Sequence, residues 1–359
     1  MISPDPLRWG VIGLGIGGQH AGTIDEDPSM VLTAICDHAP DALASVGGRF
    51  NSALRFTNEF ELIRSGSIDA VVIASYDNQH ADAIVAALDA GIHVFCEKPL
   101  ATSRQQLEEV VAALNRNPSL HLMTNTLLRR SPRFAWLKDE IASGGMGSVY
   151  HAELTYLYGR LHKVLEGWRG DDPGYSVTLG GTIHLIDLLM WLVDERPQSL
   201  TGIGASAGTS WSSLYDPDRH LIHDLRMALM QFPSGMTSAV SANYACVLPH
   251  FHRVEVYGTS GTFMNVPPLG PAPEDSAAYL YTSRDPQVPP LRLDLPYPAV
   301  PKGALIPRFA GTIRGDEPEI SEQEAVDAVA VALAVDNAVL TGEMVAVSYP
   351  HVLPRENLD

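Results

Sequence analysis

The stretch VIGLGIGGQHA at residues 11–21 constrains the fold of this chain more than any other. It follows a short apolar run, Leu7–Ile12, and opens what reads as a helix, His20–Asp25. Gly13, Gly15 and Gly18 fit G-x-G-x-x-G, with Ile16 and Gly17 inside the same turn. Glycines in this spacing permit a tight turn, close approach of backbone to a pyrophosphate, and helix–strand packing. The free N–H groups of the helix start then face the phosphate. A glycine triplet alone also suits a turn in any α/β protein. Here a second strand, Val31–Cys36, leads to Asp37, about 20 residues beyond the loop, where an acid holds the adenosine ribose hydroxyls. That carboxylate repels a 2′-phosphate, and His38-Ala39-Pro40 offers no arginine to receive one. NAD is therefore expected rather than NADP.

The rest of the first 124 residues keeps the same rhythm. Asp41–Arg49 reads as a helix, Ala70–Ala74 (AVVIA) as a strand apolar on both faces, and His80–Ala90 as an Ala-rich helix stopped by Gly91. His93–Cys96 is the next strand and Ser103–Leu114 the next helix. Near-continuous apolar strands separated by helices imply a doubly wound parallel sheet of Rossmann type. Past residue 124 the pattern changes. Residues 149–158, 199–207, 225–232, 236–246 and 252–264 read as longer strands, with hairpin turns at PSG (233–235) and TSG (259–261). One helix, His184–Val193, interrupts them, residues 266–303 read as irregular, and Ser321–Leu340 is a helix opened by a Ser321/Glu324 capping box. The expected organisation is a nucleotide-binding domain over 1–124 and, over 125–359, an α+β domain with an open, mostly antiparallel sheet that binds substrate and forms oligomer contacts.

A chain of 359 residues suits two domains. No apolar run reaches about 18 residues, so no membrane span is read, and MISPDPLRWG lacks the features of a signal peptide. Cys36, Cys96 and Cys246 form no CxxC pair, which indicates neither a zinc site nor a disulfide framework and favours a reducing cytosol. The formal net charge of −18, with acids scattered along the chain, repels nucleic acid and anionic membranes.

The strand His93–Cys96 ends abruptly in Glu97-Lys98-Pro99. An isolated Glu-Lys pair is more often solvated surface. Here the charges sit against a buried strand, at the carboxyl end where doubly wound sheets bind ligands. A cis bond before Pro99 would turn Lys98 toward the crevice.

Together GLGIGGQH, ASYDNQHADAIVAALDAGIHVFCEKPLA (74–101) and GGTIHLIDLLMWL (180–192) resemble the glucose–fructose oxidoreductase / inositol dehydrogenase / rhizopine-catabolism (Gfo/Idh/MocA) family, as do VYGTSGTF (256–263) and LTGEMVAV (340–347). The resemblance covers essentially the whole chain. It implies NAD(P)-linked oxidation or reduction of a sugar, cyclitol or related polyol, and a homodimer or homotetramer through the C-terminal sheet. It makes Lys98 the lysine beside the reacting hydroxyl and the nicotinamide ribose, and His184 the histidine facing that hydroxyl. It lines the cofactor with Ser75, Tyr76, Asn78 and His80, and places Glu97 near the nicotinamide. Two positions depart from the family: Ser75-Tyr76 replaces its usual Thr-Pro, and Gly180 stands where many members carry an Asp. Without that carboxylate, His184 and Lys98 remain to take the carbinol proton as the C–H bond gives up its hydride. His184 also reads simply as a core residue of an apolar helix, and Asp187 as structural.

Between the first strand of the second domain and the His184 helix lie Tyr156, Tyr158, Arg160, Lys163, Trp168, Arg169 and Tyr175. Aromatic faces stack on sugar C–H faces, and cations donate to hydroxyls or an acid group. As a cluster these residues suit a sugar or glycoside; singly, each is equally a packing or solvated residue. Asn125, at the crossover between domains, is a candidate for the nicotinamide end, whereas Arg129 and Arg130 either bind substrate or pin the crossover. Three functions compete: an NAD-dependent sugar or polyol dehydrogenase, a glycoside-cleaving enzyme that uses NAD through C3 oxidation and elimination, and a non-catalytic NAD or sugar sensor. No metal site is expected.

Overall fold

The structure, a computed structural model, describes residues 5–172, 174–206, 223–268 and 276–354. Its contacts divide the chain into two compact units. The first runs to Leu127 and takes in Pro301–Val329 and the segment from Tyr349; the second comprises Leu128–Val300 and Ala330–Ser348.

Six strands build the first unit: β1 (Leu7–Ile12), β2 (Met30–Cys36), β3 (Leu54–Phe56), β4 (Ala70–Ile73), β5 (His93–Cys96) and β6 (Leu122–Thr124). They lie in the order β3-β2-β1-β4-β5-β6, all parallel. β4 is buried along its whole length, as expected where helices cover both faces of a sheet. The strand order reverses between β1 and β4, which opens a crevice beyond their carboxyl ends. Gly13, Asp37, Glu97 and Asn125 directly follow β1, β2, β5 and β6, and Ser75 lies two residues past β4. The topology thus delivers every sequence-predicted cofactor residue of this unit to one edge of the sheet.

Local differences from the expected elements have local causes. The first helix starts at Gly17, inside the glycine turn. The second breaks after Ser45 and continues as a short 3₁₀ turn, Gly47–Arg49, because consecutive glycines weaken a helix interior. β3 and the helix Glu59–Arg64 were not expected. β3 has three residues, too few to show a period, and the helix is announced only by its cap, where Asn58 Oδ1 accepts from the Phe60 and Glu61 N–H groups.

The segment 301–329, read from sequence as part of the second domain, belongs by its contacts to the first unit. It carries the helix Ile306–Ile313. Phe309 on that helix is fully buried, with its ring 6.1 Å from Trp9 and 5.9 Å from Phe95. Apolar burial outweighs chain order here.

The second unit holds β7 (Val149–Leu157), β8 (Ser199–Ala205), β9 (Leu225–Gln231), β10 (Thr237–Asn243), β11 (Phe251–Gly258), β12 (Thr262–Val266), β13 (Ala277–Tyr281), β14 (Leu291–Leu293) and β15 (Val345–Ala346). Their order is β14-β13-β12-β11-β7-β10-β9-β8-β15. Only β7 and β10 pair in parallel; the other neighbours are antiparallel. The stretch 252–264 is the hairpin β11–β12, turned at Thr259-Ser260-Gly261 as read from the sequence. The region 266–303, expected to be irregular, contains β13 and β14, while 269–275 lies outside the described residues. Flanking prolines hid these two short strands. The helix Pro132–Ala142 was also unexpected.

The apolar helix Ile183–Val193 is preceded by a π-helical turn, Thr178–Thr182. The last helix, Glu322–Thr341, opens on the expected capping box: the Ser321 N–H donates to Glu324 Oε2 at 2.9 Å, and the Glu324 N–H donates to Ser321 Oγ at 3.2 Å. Among the described residues no helix is long and apolar enough to cross a membrane.

Phe309→Ala leaves a cavity among Trp9 and Phe95 and should lower stability by about 3–5 kcal/mol. Urea unfolding of the full chain checks this; an unchanged midpoint would show that the 301–329 segment adds little to the first unit.

Candidate active site

The glycine turn has the shape a pyrophosphate needs. Gly13 has φ +83°, and a Cβ there would lie 2.4 Å from the Ala74 carbonyl oxygen. Only glycine accepts both the backbone angle and the contact. A Cβ at Gly17 would lie 3.0 Å from Val11, and one at Gly18 3.0 Å from Val46, so these glycines serve packing. At Gly15 a Cβ would meet nothing within 4 Å; that backbone borders open space. Ile16 is the residue before the helix.

Across the crevice Asp37 is buried and fixed by backbone donors. Its Oδ2 accepts from the Leu14 N–H at 2.8 Å and its Oδ1 from the Ala39 N–H at 2.8 Å. Each carboxylate oxygen keeps a lone pair for a ribose hydroxyl. The His38 ring stands edge-on to Tyr76 with centroids 5.6 Å apart, an aromatic rim beside the acid. Ser75 and Tyr76 are half-buried and Asn78 is exposed. His80, predicted as a cofactor contact, is buried, with Nδ1 2.7 Å from the Pro99 carbonyl oxygen and Nε2 3.2 Å from that of Ser75. It ties the loop after β4 to the corner after β5. The open cradle at Gly15 and the anchored diol acceptor at Asp37 together fit a dinucleotide.

The corner itself centres on Glu97. Its Oε1 lies 2.9 Å from His20 Nε2 and accepts from Asn125 Nδ2 at 2.8 Å. Burial pushes the Glu97 carboxyl up. The hydrogen bond and charge of His20, with Lys98 and Asn125, outweigh burial and hold the group at about 2. Asn125 also donates to the Lys302 carbonyl oxygen at 3.2 Å, while its Oδ1 is buried without a hydrogen-bond partner among the described residues. Lys98 is half-buried, and its bond to Pro99 is cis. His20 is the residue of this knot that sequence reasoning passed over, although it closes the GLGIGGQH motif.

In the second unit the predicted aromatic residues gather on one wall. Tyr156 is buried on β7, its ring stacked 5.6 Å from Tyr158 and 6.4 Å from His184. Burial pushes its phenol pKa up, so the hydroxyl stays protonated. Trp168 stands edge-on to Tyr175 at 5.9 Å, and the Arg169 guanidinium lies 4.3 Å over the Trp168 ring. Arg160 is exposed and sits 5.3 Å over Tyr158. His250 and His252, not predicted, lie 5.0 and 5.2 Å from Tyr156. A signal was present for His252, which β11 pairs with Tyr156; His250 lies one residue before the strand. Tyr244, also missed, is 5.9 Å from Tyr156. Arg129 forms a buried two-point ion pair with Asp187, at 2.6 and 3.0 Å. This assigns both residues to holding the His184 helix.

A glycine-turn crevice with an anchored acid, joined in one chain to a mixed-sheet unit bearing a histidine and tyrosine wall, defines a two-part nucleotide-dependent oxidoreductase. Residues 7–125 match the model for the oxidoreductase family with an NAD-binding Rossmann fold, and residues 134–264 match the GFO/IDH/MocA C-terminal domain. The chain belongs to the Gfo/Idh/MocA oxidoreductase family, and its cofactor is NAD. It is 28% identical over 345 residues to a 1,5-anhydro-D-fructose reductase from Ensifer adhaerens, covering 94% of this chain and 97% of that one. An inositol 2-dehydrogenase from Rubrobacter xylanophilus is 28% identical over 274 residues, 74% of this chain and 73% of that one. Among solved structures, scyllo-inositol dehydrogenase from Lactobacillus casei with NAD(H) and scyllo-inositol bound gives a TM-score of 0.77 at 20% identity, covering 95% of this chain and 99% of that one.

The depressed Glu97 carboxyl makes stability depend on pH in a defined direction. Its contribution is complete above the ordinary glutamate value of 4.5 and is lost as pH falls toward about 2. It amounts to something on the order of 3 kcal/mol. Glu97→Gln should abolish that part of the acid dependence in thermal unfolding between these limits. A variant whose acid profile overlays the wild type would remove Glu97 as its source.

Proposed function

We propose that this protein is an NAD-dependent dehydrogenase that oxidises a secondary hydroxyl of a sugar, glycoside or cyclitol, or reduces the matching carbonyl. The observation that carries this reading is Lys98, at the carboxyl end of β5 on the edge of the sheet that carries the glycine turn and Asp37. The names of the relatives, inositol dehydrogenases and an anhydrofructose reductase, support the substrate class. They give no support to a glycoside-cleaving route or a sensor.

Bound NAD supplies the hydride acceptor. The chain's part is to position the carbinol and move its proton. Lys98 contributes positive charge at the hydroxyl oxygen, which favours loss of the proton as the carbonyl forms. His184 accepts that proton as general base and returns it in the reverse direction. The faces of Tyr156, Tyr158 and Trp168 take the C–H faces of the ring, and Arg160, Arg169 and Tyr175 donate to its hydroxyls. Asn125 is assigned to the nicotinamide end, where its Oδ1 can accept from an amide. Ser75, Tyr76 and Asn78 border the cofactor; Glu97 and His80 position that border.

Lys98→Ala and His184→Ala should each lower kcat by about 10²–10⁴-fold while NAD still raises the melting temperature. Absorbance at 340 nm across a panel of inositols, anhydrosugars and glycosides checks this, and full activity in either variant would remove that residue from the chemistry. Asp37→Ser should raise KM for NAD by about 10–100-fold through the lost ribose hydrogen bonds. An unchanged preference for NAD over NADP would contradict the role given to Asp37.

We further assign the outer face of the second sheet to contact with a second copy of the chain, and the protein to the cytosol. Ile203 is 70% and Leu229 55% exposed on neighbouring strands, an apolar face that water disfavours. Ile203→Glu with Leu229→Glu should reduce the mass measured by light scattering from an oligomer to one chain. A wild-type chain that is already single would end this assignment.

A further inference from the structure

Asp37 accounts for the choice of NAD, and the residue directly after it carries a charge that changes with pH. His38 lies in the turn after β2. Its side chain is 70% exposed, and its Nδ1 lies 3.5 Å from Asp37 Oδ1. That oxygen is held by the Ala39 N–H at 2.8 Å, and Oδ2 by the Leu14 N–H at 2.8 Å. The carboxylate is therefore fixed, and the exposed imidazole stands beside it.

The imidazole is steadied from the turn after β4. The Tyr76 ring meets it edge-on, with centroids 5.6 Å and planes 64° apart. Ser75-Tyr76 departs from the Thr-Pro usual in the family, and His38 gives that departure a partner. The other ionisable groups of these two turns are Asp37, Asp41 at the start of the helix Pro40–Ser45, and Asp77 beside Tyr76. All three are acids. No lysine or arginine lies between residues 38 and 48. The cations that follow are engaged elsewhere. Arg49 lies 5.4 Å over the Phe50 ring, and Arg55 on β3 donates to the Gly47 carbonyl oxygen at 3.1 Å. His38 is thus the side chain of the turn that can bring positive charge to the ribose acceptor.

An imidazole ordinarily changes its charge between about pH 5 and 8, while a carboxylate keeps its own well below that range. An acid at the end of the second strand accepts from a ribose 2′-hydroxyl and repels a 2′-phosphate. A cation at its side partly neutralises it and donates to the phosphate instead. We propose that His38 is a specificity-determining residue of the cofactor site: uncharged, it leaves Asp37 to enforce NAD, and charged, it admits the 2′-phosphate of NADP. As pH falls through the neutral range His38 gains its proton, so NADP binding strengthens relative to NAD; as pH rises that gain is lost. This rests on Asp37 as the ribose acceptor and is independent of which hydroxyl the enzyme oxidises.

The test reads binding without turnover, as thermal stabilisation of the full chain by NAD and by NADP at about pH 8 and about pH 5.5. The affinity for NADP relative to NAD should rise roughly fivefold to tenfold over that range, the size of one partly solvated charge contact. The 2′-phosphate itself takes up a proton at about pH 6, so the rise measured for His38→Ala is divided out of that for the wild type. His38→Ala should show little rise, and His38→Arg should bind NADP comparably at both pH values. Neither change disturbs folding, because the side chain is exposed. A rise of equal size in His38→Ala, or a wild-type preference that stays flat while NAD binds, would overturn the proposal. No stabilisation by NAD at either pH would overturn the cofactor site and this inference with it.

Discussion

A largely buried carboxylate persists only where donors surround it, and the nucleotide-binding unit is organised about one, whose side chain is 13% exposed. Glu97 draws His20 from the glycine-turn helix and Asn125 from the end of β6. Asn125 in turn holds the Lys302 carbonyl of the segment that returns to this unit late in the chain. Four pieces of backbone, distant in sequence, are fixed by one acid. The adjacent residue is Lys98, so the position of the proposed catalytic cation is set by an anion at its side. Removing one partner of such a knot leaves the others buried and unpaired, which makes it more costly to lose than its individual bonds suggest.

The second unit solves a different problem. The wall proposed to receive the substrate ring combines apolar ring faces with polar tips. Tyr156 on β7 and His252 on β11 face each other across the sheet, and Tyr158 and His250, just beyond the strand ends, extend the same cluster. Burial pushes the phenol pKa values of Tyr156 and Tyr244 up, so both stay neutral near neutral pH. The buried Arg129–Asp187 pair fixes the apolar helix behind them through two bonds rather than one, which sets its rotation and hence the direction in which His184 projects.

The parallel sheet was legible because every device in it is local. A glycine turn, an acid after the second strand and apolar strands of both-face burial all sit within a few residues of where they act. The EKP corner, read as a candidate site, is local in the same way. What stayed hidden depended on distance in sequence. Nothing near Phe309 says that its ring closes against Trp9 and Phe95, and nothing near His20 says that it meets Glu97. β3, β13 and β14 are three to five residues long, too short to establish a period against flanking proline and glycine. His252 was within reach, since it lies on β11 directly opposite Tyr156 on β7.

Gly180 shows how a missing side chain can be misread. From sequence it looked like the loss of a carboxylate that would leave His184 and Lys98 to manage the proton alone. In the fold, the space is filled by the Tyr175 hydroxyl, so the glycine is better described as an exchange. The exchange alters the chemistry available. A carboxylate in that place carries charge and accepts hydrogen bonds, raising the proton affinity of a neighbouring imidazole. A phenol is neutral over the same range and gives less electrostatic help to a protonated base. Tyrosine at 175 therefore requires glycine at 180, since a Cβ there would lie 2.2 Å from the Tyr175 hydroxyl oxygen.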